Sequence, residues 1–320
     1  MARSSRQEPR RPLLPTSART HALLAELAEH PQVDGCFIGH RRKDGRATRT
    51  LAVICAVCEK RPRAKVAKEH LLPRKVEWAV NSRETASLRT DVQELGESGF
   101  QTTGTVATAG PGDRIEGLSV AAGQTQAVVA TVGVALQHPR FGQVITTAGH
   151  AVQSEPGTVE FDTAQRPTVT LRNVAADGTR SGFTGRLLRS ARIPQGDYAL
   201  IEVEEATPVG NLYQDLNSLG GLHLPQVEDV GKTFFALTSA AVLPARVRGV
   251  FGMFTIGDFP MRDLILTDAV TEGGDSGCAL VDESFRVAGL LVGFVTIEGE
   301  RRSVFMSAFW ALTLEQSELL

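Results

Sequence analysis

Ser276 stands in T-E-G-G-D-S-G-C-A-L, where glycines flank an acidic residue and a serine and an apolar strand follows. A serine hydroxyl is a weak nucleophile until a neighbouring base takes its proton. The carbonyl it attacks becomes an oxyanion, which needs aimed N–H donors. A loop of small residues allows the backbone N–H groups of Gly274 and Ser276 to converge on one point. The same residues also make an ordinary glycine-rich turn, so this segment by itself leaves both readings open.

The base for such a serine would be a histidine, and the chain has seven. His21 and His30 fall on a helical pattern, and His40, His70, His138 and His223 lie in polar or turn-like contexts. His150 differs, because it follows the strand-like run Q-V-I-T-T-A and small Gly149, which puts an imidazole at a strand end within reach of a cleft. A lone histidine can equally be structural. A third member, a buried carboxylate, would hold the imidazole in one tautomer. Asp197 opens D-Y-A-L-I-E-V, apolar at alternate positions, with no partner cation nearby in sequence. A buried acid at the start of a core strand is costly unless paired, although Asp197 after Gly196 could also be a plain turn residue.

Side chains so far apart in sequence need a rigid frame. Residues 1–15 read as a disordered basic tail, and Thr16 or Ser17 caps an amphipathic helix ending before Pro31. V-D-G-C-F-I-G-H and T-R-T-L-A-V-I-C-A-V-C predict a hairpin turned at Asp44-Gly45. With the strand-like K-V-E-W-A-V and T-D-V-Q-E-L, residues 16–96 read as a small α+β accessory domain. Residues 97–114, rich in Gly, Thr and Ala and without helical period, read as a linker. From 115 to 320 short strand-like runs recur, and one helical pattern, A-F-W-A-L-T-L-E-Q-S-E-L-L, ends the chain. The fold class expected is mainly β, a sandwich or barrel.

Composition narrows the function classes. Charged residues at 22% and hydrophobic residues at 42% suit a soluble globular protein with a real core. A net charge of -2 gives no reason to expect a nucleic-acid or membrane-surface partner. No run approaches the roughly 18 apolar residues of a membrane span. The basic N-terminus lacks the apolar stretch of a secretory signal, and four cysteines show no disulfide framework. A cytoplasmic location is therefore expected. Cys55-x-x-Cys58 lies in an apolar strand-like run without a second pair at zinc spacing, so it reads as buried thiols rather than a metal or redox site.

Taken together, T-T-A-G-H, D-Y-A-L-I and G-D-S-G resemble the three active-site motifs of trypsin-like serine proteases, in the chymotrypsin chain order. The intervals are 47 residues from His150 to Asp197 and 79 from Asp197 to Ser276, and the resemblance spans roughly residues 105 to 315. The segments A-V-C-E-K-R and H-L-L-P-R-K-V-E resemble the leader of some intracellular bacterial and plant members. The family's fold is a double β-barrel, here residues 115–320, with a C-terminal helix. The resemblance implies that Ser276 is the nucleophile, His150 the general base and acid, and Asp197 its orienting partner. The Gly274 and Ser276 N–H groups would form the oxyanion hole, with no metal or cofactor.

Departures from the family pattern set further expectations. Val270, six residues before Ser276, stands where an acid would select basic substrates, so an apolar or small residue before the cut is expected. Gly293 and Phe294 would shape the other wall of that pocket, and Glu272 would lie near the cleft. Cys278 replaces a second glycine and reads as a buried strand cysteine. Asp275 is expected to be held by internal hydrogen bonds or a nearby cation, although Arg114-Ile115-Glu116-Gly117 faintly resembles an activation cleavage site. The expected partner is a protein or peptide substrate, with the N-terminal region recruiting an activator or substrate. The competing reading is a catalytically silent peptide-binding module. An α/β-hydrolase esterase fits poorly, because its histidine would come last.

Overall fold

Runs of β-branched and aromatic residues separated by glycine turns pair into two ten-stranded sheets among the described residues. In this computed structural model those residues are 17–43, 46–62, 65–81, 84–100, 114–120, 124–126, 128–164, 166–174, 180–203, 210–213 and 217–320. The protein is mainly β, with a helix at each end of the described chain, Ser17–Ala28 and Ala308–Glu315. The basic tail and the Asp44-Gly45 turn lie outside the described residues.

The C-terminal sheet closes on itself. Its strands follow the order Thr233–Leu237, Ala279–Val281, Val287–Ile297, Glu300–Ser307, Phe259–Asp268 and Val242–Ile256. The last pairs back onto the first, with Phe234 opposite Ala245 and Leu237 opposite Val242. Each strand of this antiparallel barrel is thus paired to both ring neighbours over part of its length, although Val287–Ile297 runs on past Ala279–Val281, which pairs only with Val287–Leu290.

The N-terminal strands extend the same sheet. Gly35–Lys43 pairs with both Val242–Ile256 and Arg46–Val57. Arg46–Val57 lies parallel to Glu84–Phe100, which pairs antiparallel with Val287–Ile297 of the barrel. Strand Glu84–Phe100 thus continues past residue 97, where the composition shifts, and residues 101–113 lie outside the described residues. Leu23, Leu24 and Leu27 of the first helix share an apolar cluster with Cys55, Cys278 and Leu291.

The second sheet is a half-barrel. It runs through Ala135–His138, Gly142–Thr147, Gly196–Val203, Arg180–Ile193, Thr168–Val174 and Arg114–Val120. Ile115, Ile145, Leu171, Leu187 and Ile201 fill its interior. The terminal helix is shorter than its apolar pattern implies. Gln316 turns left-handed at φ 51° and bonds back to Leu312 and Thr313, which stops the helix. Glu318–Leu319 then adds as a strand opposite Gln137 and Leu136, so the chain end joins the half-barrel. No helix among the described residues is long and apolar enough to cross a membrane.

Candidate active site

His150 sits on the one-turn 3-10 segment Gly149–Ala151, directly after strand Gly142–Thr147. That strand pairs with Gly196–Val203, with Thr147 opposite Ala199, so Asp197 is carried alongside His150. Ser276 belongs to the other sheet, in the loop before strand Ala279–Val281. Backbone bonds pin this loop. Gly277 N–H donates to Leu291 O at 2.8 Å, and Leu291 N–H donates to Cys278 O at 2.9 Å. Thr131 N–H donates to Ser276 O at 2.8 Å, joining the loop to the half-barrel. The three side chains therefore meet at the seam between the sheets.

His150 Nε2 lies 3.1 Å from Ser276 Oγ. On the other side of the ring, Nδ1 hydrogen-bonds Asp197 Oδ2. The His150 backbone N–H donates to Asp197 Oδ1 at 2.8 Å, so one carboxylate fixes both the ring and the main chain of the histidine. Asp197 is wholly buried and the His150 side chain is 2% exposed. A carboxylate at Nδ1 keeps the proton there and leaves Nε2 as an acceptor toward the serine hydroxyl. The fit is close: a Cβ on Gly149 would come within 2.9 Å of Asp197 Oδ1 and 2.7 Å of Ala191 O.

The reading that no partner cation lies near Asp197 in sequence is corrected by Arg192, five residues earlier. Strands Arg180–Ile193 and Gly196–Val203 form a hairpin in which Arg192 stands opposite Asp197. The Arg192 Nε lies 3.7 Å from Asp197 Oδ1, with the side chain 6% exposed. Its guanidinium also donates to Ser154 O and lies 5.3 Å from the Phe259 ring centre. The readable signal was the short hairpin A-R-I-P-Q-G-D, whose turn brings positions 192 and 197 face to face.

The loop before Ser276 is a turn in which Asp275 N–H donates to Glu272 O at 3.2 Å. Gly274, its third residue, has φ 98°. A positive φ there is type II geometry and calls for glycine; a type I turn would rotate the central peptide the other way. Asp275 Oδ2 accepts from Glu272 N–H at 2.9 Å. Burial pushes the Asp275 carboxyl above the usual carboxylate range; the Glu272 N–H bond opposes this, the Glu272 charge adds to it and Arg114 opposes it. Arg114 and Ile115 are buried within strand Arg114–Val120, opposite Thr131 and Ala130 on one side and Arg172 and Leu171 on the other.

The residues expected to form a substrate pocket are placed as follows. Val270 is half-buried against the apolar cluster, and its N–H donates to Ser303 Oγ at 3.3 Å. Ser303 Oγ also lies 2.7 Å from Thr271 Oγ1, a buried contact unmarked in the sequence reading. Glu272 is exposed. Gly293 and Phe294 lie on strand Val287–Ile297, with Arg301 4.0 Å over the Phe294 ring. Cys278 is fully buried, and burial raises its thiol pKa well above the usual thiol range. Cys55 is buried and pushed up to about 12, chiefly by burial, whereas Cys58 is exposed. The two cysteines therefore do not share an environment, and no group of three or more His, Cys, Asp or Glu side chains that could hold a metal occurs among the described residues.

No family model matches the chain, and no curated protein matches it. Among solved structures it is similar to bacterial serine proteases of the chymotrypsin kind. Cellulomonas bogoriensis chymotrypsin is 17% identical at a TM-score of 0.44, over 66% of this chain and 97% of that one. Thermobifida fusca protease A is 16% identical at 0.45, over 67% and 99%. The Nocardiopsis protease is 14% identical at 0.45, over the same shares.

Proposed function

We propose that the protein is a serine endopeptidase working through an acyl-enzyme, with His150, Asp197 and Ser276 as its catalytic residues. The observation that carries this reading is the unbroken contact series from Ser276 Oγ through His150 to the buried Asp197. Ser276 Oγ bonds to the scissile carbonyl carbon while its proton passes to His150 Nε2. The carbonyl electron pair moves onto oxygen, where the Gly274 and Ser276 N–H groups receive the charge. Collapse breaks the C–N bond, and His150 returns the proton to the departing amine. Water then repeats the sequence on the ester, releasing the acid and restoring Ser276. Asp197 holds the imidazole and stabilises its cationic form throughout.

Val270 in place of an acid supports cleavage after an apolar or small residue. A cytoplasmic protease must spare most proteins, so the reading includes a narrow set of intracellular targets, with the N-terminal region as a recruiting element. A fluorophosphonate probe tests the chemistry directly. Labelling that maps to Ser276 and vanishes in Ser276→Ala and in His150→Ala is the expected result. Folded wild-type protein that takes no label would reduce the assignment to a peptide-binding module.

A further inference from the structure

The strand that serves the serine loop also pairs with a segment of the N-terminal region. Leu291 bonds to both Gly277 and Cys278, the two residues after Ser276. The next residues of its strand, Val292 to Ile297, therefore lead directly away from the nucleophile. One side of this stretch pairs with Glu300–Ser307, including Gly293 opposite Val304 and Phe294 opposite Ser303. The other side is where an extended peptide could add as a strand and present its backbone beside Ser276. Main-chain pairing to a sheet edge is a general mode of peptide recognition.

That edge is already taken. Phe100 stands opposite Gly293, Gly99 opposite Phe294, Ser98 opposite Val295 and Leu95 opposite Ile297, all antiparallel. The segment advances toward the end of the strand nearest Ser276. We infer that residues 95–100 are an internal occupant of the peptide-docking edge and hold the enzyme in check, so that a protein substrate is admitted only when this strand is displaced. The inference rests on the serine hydrolase reading above.

Two features make the strand a removable latch rather than a deep core element. Glu298 N–H donates to Glu94 O at 2.7 Å, while Glu298 Oε1 accepts from Glu94 N–H at 2.9 Å and from Lys60 Nζ at 3.0 Å. Glu94 and Gly96 are exposed. Close approach depends on Gly96, because a Cβ there would lie 3.0 Å from both Cβ and Cγ2 of Thr296. Displacement would give up the ladder to Gly293–Ile297, the packing of half-buried Leu95 against the main apolar cluster and one partly exposed carboxylate contact, leaving the barrel closure between Thr233–Leu237 and Val242–Ile256 intact.

The test compares two probes on the full chain. A small fluorophosphonate needs only the nucleophile, whereas a tripeptidyl phosphonate with an apolar residue beside phosphorus also needs the edge. If the open form is a minority of about a tenth, freeing the edge raises the ratio of peptidyl to small-probe rates about tenfold. Gly96→Val and Glu298→Ala, each checked for a native thermal transition, are expected to raise it. In wild-type protein, peptidyl labelling should increase hydrogen exchange across residues 94–98, and the small probe should not. An unchanged ratio in the folded variants, together with unchanged exchange, overturns the inference while leaving the hydrolase reading in place. Absence of labelling by either probe overturns both.

Discussion

Asp197 is the residue on which most of the site geometry depends. It binds His150 at the ring Nδ1 and at the backbone N–H, and it faces Arg192. Asp197→Asn keeps the size but loses the charge, and an amide nitrogen turned to Nδ1 favours the wrong imidazole tautomer. On the proposed mechanism the expected result is a fall in kcat of about 10⁴ with the fold retained. Steady-state rates on a cleaved peptide and a thermal melt would check it; a loss below tenfold would remove Asp197 from the catalytic set. The serine, histidine and aspartate were readable because each needs a characteristic local setting: a glycine loop, a strand end and a buried strand start. Arg192 was marked only by the short hairpin A-R-I-P-Q-G-D, whose register, rather than any residue beside Arg192, brings it opposite Asp197. The Thr271–Ser303 contact was hidden because it joins the loop before Ser276 to a strand some thirty residues later, and no local motif marks either partner.

At the scale of elements, small polar clusters fasten the turns around the barrel. His223 Nε2 lies 2.8 Å from Asp229 Oδ2, which also accepts from Gln226 N–H at 2.8 Å, while Lys232 Nζ donates to Oδ1 at 2.9 Å. His223 Nδ1 lies 3.1 Å from Asp282. Burial by itself would raise the Asp229 carboxyl, but His223, Lys232 and the Gln226 N–H outweigh it and hold the group below its ordinary 3.8. A carboxylate with a depressed folded-state pKa stabilises the protein above the unfolded value and ceases to do so as pH falls through the folded one. Asp229→Asn is therefore expected to cost about 2 kcal/mol at neutral pH. The gap between the two proteins should narrow below pH 3.8. Denaturant titrations from pH 7 to pH 2.5 would show it, and a constant gap would contradict the linkage. The terminal helix is fastened in a similar way. Buried Glu315 accepts from Tyr198 Oη at 2.5 Å and lies 3.3 Å from Arg189 and 3.4 Å from His138. Apolar periodicity revealed this helix but not its end, which a left-handed Gln316 fixes.

Across the whole molecule, the long-range pairings were least legible. Hydrophobic patterning identifies a strand but says little about its partner, and nothing local in Gly35–Lys43 or Glu84–Phe100 points to a barrel two hundred residues later. Those pairings have an energetic consequence, because Leu24 packs in the same cluster as Cys278 and Leu291, whose backbone groups brace the Ser276 loop. Leu24 is fully buried, and Leu24→Ala removes its contacts and leaves a cavity at a cost of about 2–5 kcal/mol. If the N-terminal strands and the barrel share one core, this loss must lower the midpoint for the seam that carries Ser276 as well as for the first helix. Calorimetry of the wild type should then give one transition with matching calorimetric and van't Hoff enthalpies. Fluorophosphonate reactivity measured along the same melt should disappear at that midpoint and shift with it in Leu24→Ala. An early transition that moves while reactivity persists would mean that the N-terminal region unfolds on its own. The barrel would then tolerate its departure, and displacement of residues 95–100 would require only that independent unfolding.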